Sequence, residues 1–219
     1  MKHLFVLIFI ALEILTCYGQ TNAYNIGFEG GFNFCSARGY SGIDNSYNQG
    51  IKCTAGLFFQ YYLNGIISFR TGTYYEQKGA SIKFNAVDNN GIPIGTFHTN
   101  EKFNFLTIPL LVRANFGNSI NYFINAGPYF GLILKQTENI EAISSYPSRE
   151  NDVTQAAGRN EFGLSLGLGL SYKLLKKIAF SFEARDNFGL SKSGLIPIAD
   201  FRPVKTNSLN LLLGISYIL

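Results

Sequence analysis

"EFGLSLGLGLSY", Glu161 to Tyr172, places Phe162, Leu164, Leu166, Leu168, Leu170 and Tyr172 on one parity and Glu161, Gly163, Ser165, Gly167, Gly169 and Ser171 on the other. A period of two is the signature of a strand whose two faces meet different surroundings. The opening of the mature chain repeats it. In "AYNIGFEGGFNF", Ala23 to Phe34, the residues Tyr24, Ile26, Phe28, Phe32 and Phe34 alternate with Asn25, Gly27, Glu29, Gly31 and Asn33.

The same pattern predicts six further strands. Ile51, Cys53, Ala55, Leu57, Phe59, Tyr61 and Leu63 form one apolar face, and after the hairpin dipeptide Asn64-Gly65 a strand continues through Ile67, Phe69, Thr71, Thr73 and Tyr75. Leu106 to Phe116 and Tyr122 to Leu134 flank the turn Gly117-Asn118. Ile178 to Ala184 and Leu209 to Leu219 complete the set. The connections alternate in length: the short ones have two to six residues, whereas the others cover roughly 36–50, 79–101, 136–158 and 189–205. In an antiparallel meander this puts all short turns at one end and all long loops at the other, as in an eight-stranded transmembrane barrel of the outer-membrane type.

Alternation alone also fits a soluble barrel with its apolar face inward, and volume separates the two. The apolar faces carry far more large side chains than the dozen or so that fill a small eight-stranded barrel. They therefore face outward, and a water-facing surface of that kind would aggregate, so the expected surroundings are lipid. A closed barrel also satisfies its backbone without water. Charges agree with this orientation: Glu29, Lys52, Arg70, Glu76, Lys78, Arg113, Lys135, Glu161, Glu183 and Arg185 share the inward parity, with Asp186 the exception. A structural charge network of Glu29, Arg70, Glu76, Arg113, Glu161, Glu183 and Arg185 is expected inside, with Arg113 or Arg185 as the partner of Glu29, because an unpaired buried charge is costly. Tyr24, Tyr61, Phe116, Tyr122, Tyr172 and Tyr217 are outward near the short-turn ends of six strands, an expected periplasmic aromatic girdle. Ordinary strand preference explains aromatic residues but not their common height.

The composition contains 23 Gly, 20 Phe and 13 Tyr without Trp, a bias toward β structure with close backbone approaches. Lys2, the apolar run Leu4 to Leu12 and the small residues around Gly19 read as a cleavable leader over 1–19, leaving 20–219 as the barrel domain. The run is too short to span a bilayer as a helix, and Leu15-Thr16 before Cys17 is a poor lipoprotein box. Net charge is +4, scattered along the chain, which gives no nucleic-acid footprint. Cys35 and Cys53 flank the first long loop, where an exported protein permits a disulfide. Alternation puts them on opposite faces, so a bridge would need a bulge. Neither a metal set nor a cofactor motif is present in the sequence.

Catalytic candidates are few. His98, in the second long loop, is the sole His of the mature chain, and the spacing of Ser144, Ser145 and Ser148 does not direct them to it. No enzyme is expected. Glycines of "GLSLGLGL" are read as inward gaps: Gly163, Gly167 and Gly169 make room for bulky partners such as Phe58, Tyr62, Tyr74, Tyr129 or Leu212. The loops hold Tyr40, Tyr47, Phe97, His98, Tyr146, Arg149, Phe201 and Arg202 among Asn, Ser and Gly, a mixture suited to adaptable binding surfaces or to shielding of the barrel mouth.

"TGTYYEQKGA" (Thr71–Ala80), "FLTIPLLVRANF" (Phe105–Phe116), "YFINAGPYFGLIL" (Tyr122–Leu134) and the opening "EFGLSLGLGLSY" resemble the recurring segments of the Bacteroidetes outer-membrane β-barrel domain, labelled porin-family or PorT-like. The resemblance covers essentially the whole mature chain and implies an OmpX/OmpA-type barrel in the outer membrane without a family-wide enzymatic activity. The terminal "SYIL", with Tyr217 two places before the end, departs from the final aromatic residue of a barrel-assembly signal. A structural or interaction role through the loops is expected, with outer-membrane lipid and other envelope proteins or extracellular ligands as partners. A small-solute porin and, from the PorT-like label, an accessory component of protein secretion are the alternatives.

Overall fold

The computed structural model describes residues 24–38, 47–87, 91–142, 147–155, 160–193, 195–196, 202–203 and 205–219; the expected leader 1–19 lies outside them. The long strands are β1 (Tyr24–Arg38), β2 (Tyr47–Tyr62), β3 (Ile67–Val87), β4 (Pro93–Phe116), β5 (Ile120–Ile140), β7 (Asn160–Leu175), β8 (Ile178–Gly189) and β11 (Lys205–Ile218). Short strands lie between them: β6 (Arg149–Asp152) pairs with β5, and β9 (Leu195–Ile196) pairs with β10 (Arg202–Pro203). Every neighbouring pair is antiparallel, β1 pairs with both β2 and β11, and β4 pairs with β5, so eight strands form a closed ring. Closure is completed at the turn end, where the Leu219 N–H donates to the Tyr24 carbonyl at 2.8 Å.

Parity sorts the side chains as two different environments demand. Phe32, Leu57, Leu168 and Leu213 stand outward, more than three-fifths exposed, while Glu29, Glu161, Ser165 and Glu183 point inward with at most 1% exposure. Asn64 makes the first turn: its side-chain oxygen accepts from the N–H groups of Ile66 and Ile67 at 2.9 and 2.6 Å. That is the local reason an Asx residue reverses the chain here. Gly117 makes the second turn with φ of 98°, a left-handed conformation that favours glycine.

Two expectations are corrected, the loop 79–101 that held His98 and the inward Lys135, and the exception at Asp186 remains. The segment 79–101 is not a loop: β3 and β4 remain paired from Lys78↔Phe103 to Val87↔Pro93, a long hairpin beyond the apolar band. Outward positions there are polar, among them Gln77, Asn100, Lys102 and Asn104, so no lipid-facing pattern marks them as strand. His98 accordingly sits on β4 opposite Lys83. Lys135 does not point inward: Asn104 pairs with Lys135 but Phe105 with Ile133, so Leu134 is an extra residue and both Leu134 and Lys135 are exposed. A bulge of this kind inverts the parity that follows, and Gln136 and Glu138 become the buried residues. Asp186 is half-buried on the outward parity, opposite Leu166 and Leu209.

Candidate functional site

The lumen is where the chain concentrates its chemistry. Glu29 on β1 is joined by Arg70 of β3 and by Arg185 of β8, whose Nη2 lies 2.6 Å from Oε1. Arg185 Nε then lies 2.6 Å from Glu183 Oε1, and Glu183 Oε2 lies 3.0 Å from Arg113 Nη2. Charges thus alternate along one chain, Arg70–Glu29–Arg185–Glu183–Arg113, all at most 3% exposed. Tyr74 donates its hydroxyl to Glu29 at 2.7 Å, and Asn125 bridges by accepting from Arg113 Nε and donating to Glu183, both at 2.7 Å. Such additional hydrogen bonds are what a desolvated ion pair needs to persist.

The expected single network is divided in the structure. Glu161 is apart from the five, paired with Lys78 at 2.5 Å and receiving the hydroxyls of Tyr129, Ser193 and Thr206, each at 2.6 Å. Glu76 is surrounded by neutral donors: Thr107 and Ser208 hydroxyls at 2.8 and 2.5 Å, and the amides of Asn187 and Asn210 at 3.3 Å. Arg113, one of two expected partners for Glu29, instead binds Glu183; Arg70 takes its place. Lys78 lies two residues from Glu76 on the same face, and parity is the signal that includes it.

Glycine and aromatic residues seat the cations. A Cβ at Gly27 would collide with the ring of Phe58, and that ring carries the Arg70 guanidinium 3.5 Å above its centroid. Gly169 faces Phe123, under Arg113 at 3.6 Å; Gly163 faces Tyr129, with Lys78 at 5.4 Å; Gly56 and Gly72 face Tyr74, with Arg185 at 5.1 Å. Removing a side chain on one strand lets the neighbour's ring lie flat against the wall, and a flat ring presents its negative face to a cation. Tyr129 is among the expected occupants of the "GLSLGLGL" gaps; Phe123 is not, and Gly167 makes room for Glu183 rather than for a ring. Toward the loop end Phe103, Phe105 and Ile133 form a buried apolar cluster.

Beyond that cluster and above the apolar band, Glu101 is 1% exposed, accepting from Gln136 Nε2 at 3.2 Å, with its other oxygen unpartnered among the described residues. Burial, together with the nearby Glu138, pushes its carboxyl up to about 8.

Of the aromatic residues near the turn end, Tyr24, Phe116, Tyr122, Tyr172 and Tyr217 are exposed and Tyr61 is half-buried. Tyr24 and Tyr61 are cross-strand partners with centroids 5.2 Å apart, and Lys177 Nζ lies 5.3 Å from the Tyr217 ring. Cys35 and Cys53 are both free: Cys35 is buried, its thiol 3.1 Å from the Gly50 carbonyl, and Cys53 is exposed on the outer face. The alternation separates them as parity requires, and the register shift between Gln49 and Thr54 on β2 does not bring them together. Among the described residues no group of His, Cys, Asp and Glu is arranged to hold a metal ion. His98 is half-buried and its carbonyl accepts from the Glu141 N–H at 2.9 Å; Ser144 and Ser145 lie outside the described residues, as do Tyr40, Tyr146 and Phe201.

Solved structures with this fold include Neisserial surface protein A, at 12% identity over 89% of this chain and 97% of that one, TM-score 0.50. A major outer membrane protein from Thermus thermophilus aligns at 13% identity over 91% of this chain and 100% of its own, also at TM-score 0.50. Ail, the attachment invasion locus protein of Yersinia pestis, solved with the heparin analogue sucrose octasulfate, aligns at 12% identity over 91% and 100% with TM-score 0.46. For the two structures at TM-score 0.50 the likeness, at these identities, is one of fold alone. Among curated proteins none matches the sequence. The family model for the outer membrane protein beta-barrel domain matches residues 18–194, most of the chain, and with the closed ring and its apolar exterior it makes this protein a member of that family, resident in the outer membrane.

Proposed function

We propose that the protein is a plugged outer-membrane barrel whose role is structural or interactive, exercised through its loop end, with residues 1–19 a leader removed on export and 20–219 the mature barrel. The observation that carries this reading is the filled middle of the lumen. Arg70, Glu29, Arg185, Glu183 and Arg113 cross the interior as one hydrogen-bonded chain, and the space beside Glu76 and Arg185 has a volume of 10 Å³, the lower limit for one water. In this reading the charge network is structural, and Tyr24, Tyr61, Phe116, Tyr122, Tyr172 and Tyr217 anchor the periplasmic rim at the lipid headgroups. The partners are outer-membrane lipid and, at the loop end, envelope proteins or extracellular ligands. Catalysis is not part of it, since the lumen carboxylates are tied to fixed partners.

Planar-bilayer recording tests the plug. Purified protein should give no stable single-channel steps, and Arg113→Ala should introduce leak. Stable steps in the wild type that change with Arg113→Ala would favour the small-solute porin. An accessory role in secretion rests on the PorT-like resemblance, and a secretome comparison after gene deletion separates it: unchanged export removes it.

A further inference from the structure

A cavity of 410 Å³ opens at the turn end of the lumen, the periplasmic side. Lys173 and Asn118 stand at its mouth, Asn25 and Tyr62 on its wall, and Arg70 and Arg113 at its floor. Among the described residues that line it, the charged side chains are these two arginines and Lys173, and none is a carboxylate. Glu29 and Glu183 bind the Nη2 atoms of Arg70 and Arg113, on the side away from the cavity, and both carboxylates are shared with Arg185. Three guanidiniums therefore divide two carboxylates. Glu76 lies further toward the loop end among neutral donors.

Toward the cavity the two arginines converge on one neutral atom. Arg70 Nη1 and Arg113 Nη1 both donate to Gln60 Oε1, at 3.5 and 3.3 Å, long contacts for so concentrated a positive charge. Two guanidiniums that meet the cavity through long contacts to one neutral oxygen, in a group with one surplus positive charge, favour an anion over water.

We propose that this cavity binds a small oxyanion from the periplasm, a phosphate group of a soluble solute, held by Arg113 and Arg70 beside Gln60 and drawn in by Lys173. A single negative charge balances the five-membered cluster. The volume suits an inorganic oxyanion or a small phosphate ester, not a polymer. The site is closed above by the Glu29–Arg185 pair, so it retains its ligand without passing it on.

Inorganic phosphate titrated by calorimetry into the full chain in detergent micelles, at fixed ionic strength, tests this. The wild type should show one saturable site. Lys173→Gln should weaken it about three-fold, as expected for an exposed charge. Asn25→Asp is isosteric and places a carboxylate on the wall; it should weaken binding on the order of ten-fold or more. Both variants leave the five-membered cluster intact, and an unchanged heat-dependent gel shift verifies their fold. Absence of saturable phosphate binding in the wild type, or an affinity that Asn25→Asp leaves unchanged, overturns the proposal.

Discussion

Glu29 and Glu76 are both carboxylates with 1% exposure, yet they are held by different means, and their responses to the same substitution should differ. Glu29→Gln leaves Arg70 without a counter-charge in the lumen and leaves Arg185 only Glu183, which it shares with Arg113. Breaking a buried pair from one side is expected to cost about 3–5 kcal/mol. Glu76→Gln removes a charge that is met by hydroxyl and amide donors, and the Thr107 and Ser208 hydroxyls can rotate to accept from the new amide. About 1–3 kcal/mol is the expected cost there. Urea unfolding of both variants in lipid vesicles checks the order; equal losses would mean that the ion pairs contribute no more than neutral hydrogen bonds do. The inward face of Glu29 is legible from "AYNIGFEGGFNF", because parity fixes it. Its partners are not, since Arg70 and Arg185 lie two strands away on either side and their height depends on the slant of the barrel, which no local pattern encodes.

At the scale of the strand, the glycine seats turn a compositional bias into a packing rule. Gly169→Ala would drive a methyl group into the Phe123 ring and the Phe182 carbonyl, where backbone cannot yield. Overpacking of this sort is expected to cost about 1–3 kcal/mol. Gly65→Ala, with nothing within 4 Å of the added carbon, should stay within about 0.5 kcal/mol. The same unfolding measurement compares them, and a neutral Gly169→Ala would remove the seat from the account. Strands were readable wherever lipid imposes a strict outer face, as in "EFGLSLGLGLSY". Where that constraint ends the pattern is lost: Leu134 has no sequence mark that it is one residue too many, and the β3–β4 hairpin leaves the bilayer with polar residues on its outer face. That extension also carries a pH dependence. Glu101 has its carboxyl raised from 4.5 to about 8, so the fold favours its protonated form. The extension is then most stable at or below pH 4.5, weakens as pH rises toward 8 and is level above it. Hydrogen exchange over 97–104, corrected for intrinsic rates, should accelerate between about pH 5 and about pH 9 in the wild type and not in Glu101→Gln. A parallel pH response in the two proteins would place the cause elsewhere.

For the whole molecule the decisive property is closure. An open sheet with this outer face would expose both a continuous apolar surface and two unpaired edges, whereas the β1–β11 ladder, running from Asn25↔Ile218 to Arg38↔Lys205, leaves no edge in the ring. No strand can leave without breaking two ladders at once, so the ring resists a detergent that would strip isolated hairpins. The chain should therefore migrate faster in SDS gels when unheated than after boiling, and the two bands should interconvert without intermediates as temperature rises. The interior contributes to the same cooperativity, because Arg185 ties β8 to β1 across the lumen through Glu29. Arg185→Met should lower the temperature of the band conversion without changing either mobility. The outward set that includes Phe32, Leu57, Leu168 and Leu213 makes the complementary demand: removal of detergent should precipitate the protein. A chain that stays folded and monomeric in detergent-free buffer, or that shows one mobility with and without heating, is incompatible with an exterior that faces lipid and would reverse the assignment of every strand face from Tyr24 to Leu219.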